Sequence, residues 1–131
     1  MPALDRAEAK RQLDASLGVA TYTAPTTPMK VGLTTTIGTD TTAGTAVTGG
    51  SYSDQNLGAA AAVVGSPTTA SNAATISFTG MPDPTVNSVK AVEITDNAAR
   101  RWGYGALTTA RTTASGDTLS FAASALVFSQ Q

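Results

Sequence analysis

Short runs in which every second residue is apolar, separated by Gly, Pro, Thr and Asp, confine this chain to antiparallel β-structure more than any other feature of its sequence. Met29, Val31 and Leu33 alternate with Lys30, Gly32 and Thr34, as a half-buried strand requires. Ala74, Ile76 and Phe78 do the same up to Gly80, Val92 and Ile94 share a face within a strand expected over Val89 to Thr95, and Trp102, Tyr104 and Ala106 alternate in another. From Thr118 to Phe128 the apolar positions switch from odd (Leu119, Phe121, Ala123) to even (Leu126, Phe128). A switch of face predicts a bulge or a break near Ala122 to Ala125. Tyr52 to Leu57 and Ala59 to Val64 read as further strands, although the Ala run also suits a helix. Gly38 to Gly50 reads as a long surface loop and Met81-Pro82-Asp83-Pro84 as a turn. The expected body is an antiparallel β-sandwich or jelly roll.

At 131 residues the chain has the length of one domain with room for a terminal arm. Thr and Ala make up about a third of it, a bias away from average usage. Thr suits strands through its branched Cβ, but Ala contributes little buried area. At roughly 25 cal/mol per Å² such a core stabilises an isolated domain modestly, and association with neighbours would add to it.

Charge gathers at the front, where Asp5, Arg6, Glu8, Lys10, Arg11 and Asp14 sit among good helix formers. Asp5 and Glu8 have the spacing of a capping box, and Gly18 stands where a helix stops. Ala9, Leu13 and Leu17 form a narrow apolar stripe, too thin to fold alone. Tyr22 lies in the Pro- and Thr-rich stretch that follows. The sequence therefore divides into a helical arm over 1–20, an extended linker over 21–28 and a β body over 29–131.

A formal charge of -1 offers no field to draw in nucleic acid or an anionic membrane. With no Cys and no His, the commonest zinc ligands, the thiol nucleophiles and the usual general base are missing. The remaining carboxylates, Asp40, Asp54, Asp83, Glu93, Asp96 and Asp117, fall in no catalytic motif. Asp83 and Asp117 lie beside Pro or Gly, where Asp caps turns, and Glu93 reads as a solvent-facing residue or an ion-pair partner. Loop oxygens over 38–54 lack the acidic series of a calcium loop, so no catalytic residue, metal site or cofactor is expected. The first residues have neither the basic start nor the apolar run of a signal peptide, and no window reaches a membrane span, which points to synthesis in the cytoplasm. Arg100-Arg101 before Trp102 is the one local basic cluster, balanced between a partner contact and a solvated strand edge. Trp102 and Tyr104 are expected in the core.

Several stretches resemble a family of small phage structural proteins, widespread in phages and prophages of actinobacteria and labelled tail fibre, minor structural or head decoration proteins. They are Gly49-Gly50-Ser51-Tyr52, Asn72 to Phe78, Val89 to Ile94 leading to Asp96, and above all Gly116-Asp117-Thr118-Leu119-Ser120-Phe121-Ala122-Ala123, similar to the family's closing hairpin. Val31 to Thr36 stands where that family carries a His-Thr-Gly-Asp-Pro-like segment, and Arg100-Arg101-Trp102 has no counterpart. The resemblance implies a non-enzymatic virion protein, first a capsid decoration protein that cements the major capsid protein as a homotrimer on the capsid surface. A tail-associated subunit or short fibre contacting the host is the alternative, and a carbohydrate-binding module a remote one. The expected partner contacts are Arg6, Ala9, Leu13, Leu17, Tyr22, Arg100 and Arg101, with the arm reaching the partner.

Overall fold

Pairing of the period-two runs produces a mainly β, antiparallel fold with one short N-terminal helix. The computed structural model describes residues 3–65, 68–82 and 88–130. Its elements are β1 (Ala3–Leu4), α1 (Arg6–Ser16), β2 (Lys30–Thr34), β3 (Gln55–Asn56), β4 (Thr68–Ser71), β5 (Ile76–Phe78), β6 (Val89–Thr95), β7 (Arg101–Arg111), β8 (Leu119–Phe121) and β9 (Val127–Gln130). A five-stranded sheet runs β1-β7-β6-β2-β3, and two ribbons, β4-β9 and β5-β8, complete the body.

Register follows the apolar alternation. Val31 pairs with Ile94 and Leu33 with Val92, which places four buried side chains on one face of the large sheet. Ile76 and Phe78 of β5, Leu119 of β8, and Leu126 and Phe128 at β9 join the same buried cluster, so a single core draws on all three sheets. Phe78 stacks on Tyr52 with ring centroids 5.9 Å apart and meets Phe121 edge-on at 6.1 Å. Trp102 is half-buried and meets Phe128 edge-on at 6.4 Å.

The break after Phe121 has a specific cause. Asn72 is fully buried, and its side-chain Nδ2 donates to the carbonyls of Ala74 (2.8 Å) and Ala122 (2.9 Å) while Oδ1 accepts from Leu126 N–H (3.0 Å). Two of these bonds go to the backbone that turns between β8 and β9, where Ser124 adopts a φ of 65°, and the third to the link between β4 and β5. Such a satisfied polar group fixes one arrangement of the chain.

The stretch over 59–64 forms no regular strand, but two antiparallel bridges, Ala59 to Asn72 and Val63 to Thr69, lay it along β4. Thr68–Ser71 lacks any alternation that would announce a strand. The loop over 38–50 folds back on the sheet and buries Val47. The expected turn at Asp83-Pro84 lies outside the described residues.

Candidate functional site

Helix α1 starts where the chain leaves the sheet. Ala3 pairs with Tyr104 and Leu4 with Gly103, then Asp5 N–H donates to the Trp102 carbonyl (2.9 Å) and Asp5 Oδ1 caps the helix by accepting from Ala7 N–H (2.9 Å). The reciprocal half of the expected capping box is absent, because Asp5 N–H is taken by β7 and Glu8 turns under the helix. Gly18, with φ 72°, follows the Leu17 C-cap as expected.

Two polar clusters seat this helix on the body. The first centres on Arg101, whose side chain is 10 % exposed. Its Nε donates to Asp5 Oδ2 (2.8 Å), and Nη1 to Glu93 Oε1 (3.1 Å) and the Thr42 carbonyl (2.9 Å). Its Nη2 reaches the Thr39 carbonyl, and the guanidinium lies 5.0 Å from the Tyr104 ring centroid. Glu93 Oε1 also accepts from Gly44 N–H (2.7 Å). Gly38 is required here: a Cβ would stand 2.6 Å from Glu93 Oε1 and 2.9 Å from Arg101 Nη1. Burial works against the Arg101 charge, but its hydrogen bonds to the Asp5 and Glu93 carboxylates outweigh that and raise its pKa. Arg6 closes the rim through a 2.7 Å ion pair with Asp40.

The second cluster lies beneath the helix and along the connector. Glu8 is fully buried; Tyr22 Oη donates to its Oε1, Arg11 Nε to its Oε2 (2.9 Å) and Gln12 Nε2 to its Oε1 (3.3 Å). Burial pushes the Glu8 pKa up, and these bonds bring it below the ordinary value. For Tyr22, burial and the Glu8 bond raise the pKa. Asp96, also buried, accepts from the backbone N–H groups of Thr26 (3.2 Å), Ala98 (3.0 Å) and Arg100 (2.8 Å). Those bonds overcome burial and lower its pKa. Arg100 pairs with Asp96 at 3.5 Å and donates to the Thr23 carbonyl (3.1 Å), so the connector is tied to α1 at Tyr22 and to the turn between β6 and β7 at Thr23 and Thr26.

Of the residues expected to meet a partner, Tyr22, Arg100 and Arg101 are therefore engaged within the chain, and Arg6 holds Asp40 at the surface. Ala9, Leu13 and Leu17 remain outward: Leu13 is 59 % and Leu17 69 % exposed, with Val19 exposed beside them. The face that α1 lays on the body is polar, contrary to the usual amphipathic arrangement. The carboxylates surveyed as catalytic candidates also have local roles. Asp54 accepts from Tyr52 Oη (2.9 Å), Asp117 Oδ2 caps a turn from Ala114 N–H (2.8 Å), and Glu93 is the ion-pair partner described above; Asp83 lies outside the described residues. Among the described residues no group of three or more His, Cys, Asp or Glu is placed to hold a metal ion, and no helix is long and apolar enough to cross a membrane.

A groove of about 390 Å³ lies elsewhere, between β7 from Gly105 onward and the approach to β9, floored by Val92, Leu107, Phe121, Leu126 and Phe128. No periodicity in the sequence announces it, since its walls come from four separate strands and a turn.

A family model described as podophage GP4 fiber I protein gp80 matches residues 4–129. No curated protein and no solved structure matches the chain.

Proposed function

Because the chain belongs to the podophage GP4 fiber I protein gp80 family, we propose that it is a non-enzymatic, tail-associated fibre subunit of the phage particle. The match over residues 4–129 carries this reading, since it takes in the helix, the connector and nearly all of the β body. It supports a phage fibre or structural protein, and with it the tail-associated role more than capsid decoration. The family is that of a podophage fibre, and nothing in the match ties the chain to actinobacterial hosts.

In this reading the partners are other virion proteins, with copies of the chain assembled as a homotrimer. The Leu13–Leu17–Val19 surface of the arm is the contact to a neighbouring tail protein. Glu8, Arg101 and Asp96 hold the arm so that this surface stays outward. Host contact through a carbohydrate-binding face is disfavoured, because every aromatic side chain is at least half-buried and sugar platforms need exposed rings.

Labelling purified virions with antibody against this chain tests the location. Label confined to the tail region supports the fibre reading, and label covering the head restores capsid decoration with the major capsid protein as partner.

A further inference from the structure

The ribbon β4-β9 is flanked on its β4 side by the 59–64 segment and, among the described residues, by no strand on its β9 side, and the two outer edges differ in kind. Along one edge runs the segment over 59–64, Ala-Ala-Ala-Ala-Val-Val, entirely uncharged and exposed. Val63 is 67 % and Val64 92 % exposed. The other edge is β9 itself, at the lip of the groove, whose floor is apolar and whose β7 wall carries Thr108, Thr109 and Arg111. Thr69 exchanges both backbone bonds with Val63 (2.7 and 3.1 Å), so it is Thr68 and Ala70 that bond to β9, opposite Gln130 and Phe128. By the alternation of an antiparallel ladder, Val127 and Ser129 turn their N–H and C=O groups away from β4, toward the groove. Beyond it, among the described residues, β7 pairs with β1 at Gly103 and Tyr104.

Natural proteins blunt exposed edges with charge, Pro or a covering element. The 59–64 edge carries no charge and no Pro, and among the described residues nothing covers it. Three of the seven exposed large hydrophobics among the described residues, Val63, Val64 and Val127, belong to this ribbon. Val63 and Val127 share a face, because Val63 is opposite Thr69, Thr69 opposite Ser129, and Val127 lies two residues from Ser129.

We propose that residues 59–64 of one copy add as a strand to the free edge of β9 in a second copy, with their small side chains closing its groove. The occupant is this chain because the donor edge and the acceptor edge are the two sides of the same ribbon: apolar, uncharged Ala and Val on one, an apolar floor on the other. Six residues give a strand of roughly 20 Å, far less than the 20–30 residues a side of a standard interface, so one such contact makes a poor dimer. A heterologous contact that closes into a ring gives every copy two, once as donor and once as acceptor. The homotrimer proposed above is such a ring, and the inference deepens that reading by naming its interface.

The chain has no cysteine, which makes disulfide trapping unambiguous. Purified full-length V63C is mixed under oxidising conditions with V127C, and separately with S129C, and each variant is also oxidised alone. Crossed disulfides in at least one mixture, about tenfold above V63C alone, are expected, together with a closed oligomer of the unmodified chain by native mass spectrometry. V64K, at a site too exposed to threaten folding, should shift the chain to monomer with an unchanged circular dichroism spectrum, while its melting temperature falls to a value that no longer depends on protein concentration. A chain monomeric at high micromolar concentration overturns the proposal. So does an oligomer that gives no crossed disulfide, or one in which V63C alone links as well as the mixtures, since that contact would be edge to like edge. These outcomes do not depend on where virions carry the protein, so failure here and failure of the fibre assignment are separate results.

Discussion

On β6, Val92 and Ile94 point into a core built with Val31, Leu33 and Phe78, whereas Glu93, one residue away, points to the opposite face and meets Arg101 and the backbone of the 38–46 loop. Both faces are covered: Val92, Glu93 and Ile94 are all buried. One face is closed by apolar side chains that need only fit, and the other by a guanidinium shared between two carboxylates and two carbonyls that need exact partners. Apolar packing contributes to stability in proportion to area. A buried ionic cluster adds little net stability, yet losing one member is costly because it strands the others. The apolar face therefore holds the body together, and the ionic face decides where the helix and the loop lie on it.

The most direct way to break this division is at Phe78, which is completely buried and touches both Tyr52 and Phe121. Phe78→Ala should cost about 3–5 kcal/mol and lower the midpoint of global unfolding measured by denaturant titration. Arg101→Ala, at a side chain that keeps 10 % exposure, should fall at the low end of the cost of breaking a buried ion pair, about 3 kcal/mol. Its loss should fall on the helix and the 38–46 loop, so that hydrogen exchange quickens in α1 while β5 and β8 keep their protection. If both regions loosened equally in Arg101→Ala, the two faces would be one cooperative unit.

Acid should produce the mildest version of the same separation. Glu8 and Asp96 have folded-state pKa values below their ordinary values of 4.5 and 3.8. The stability they contribute is complete above those values and is lost as pH falls through the lower folded-state values. Helical circular dichroism and Tyr22 fluorescence should change below about pH 4, before the near-ultraviolet signal of Trp102. Glu8→Gln should reduce that early transition.

Several features were legible in the residues before any contact was known. The strand over Val89–Thr95 was expected with the bounds it has, and the switch of apolar positions near Ala122 to Ala125 marked the break between β8 and β9. Alternation is set by the two-residue repeat of the strand itself, so it needs no knowledge of partners. Thr68–Ser71 escaped because its residues are all half-buried and carry no alternation. The capping box was half right, since Asp5 does cap the helix, but a β-strand far along the chain took the donor that Glu8 would have filled.

What the sequence by itself determined is the class of the protein: antiparallel β, one charged helix, a break near the C-terminus, and a phage structural family. Only the tertiary structure decided that Arg101 reaches Asp5 and Glu93, that Asn72 anchors the turn after β8, and that a groove with an apolar floor opens beside β9. The reason is range. Strand and helix patterns arise between neighbours a few residues apart, whereas a buried charge or an uncovered edge acquires its meaning from groups that only folding brings within hydrogen-bonding distance.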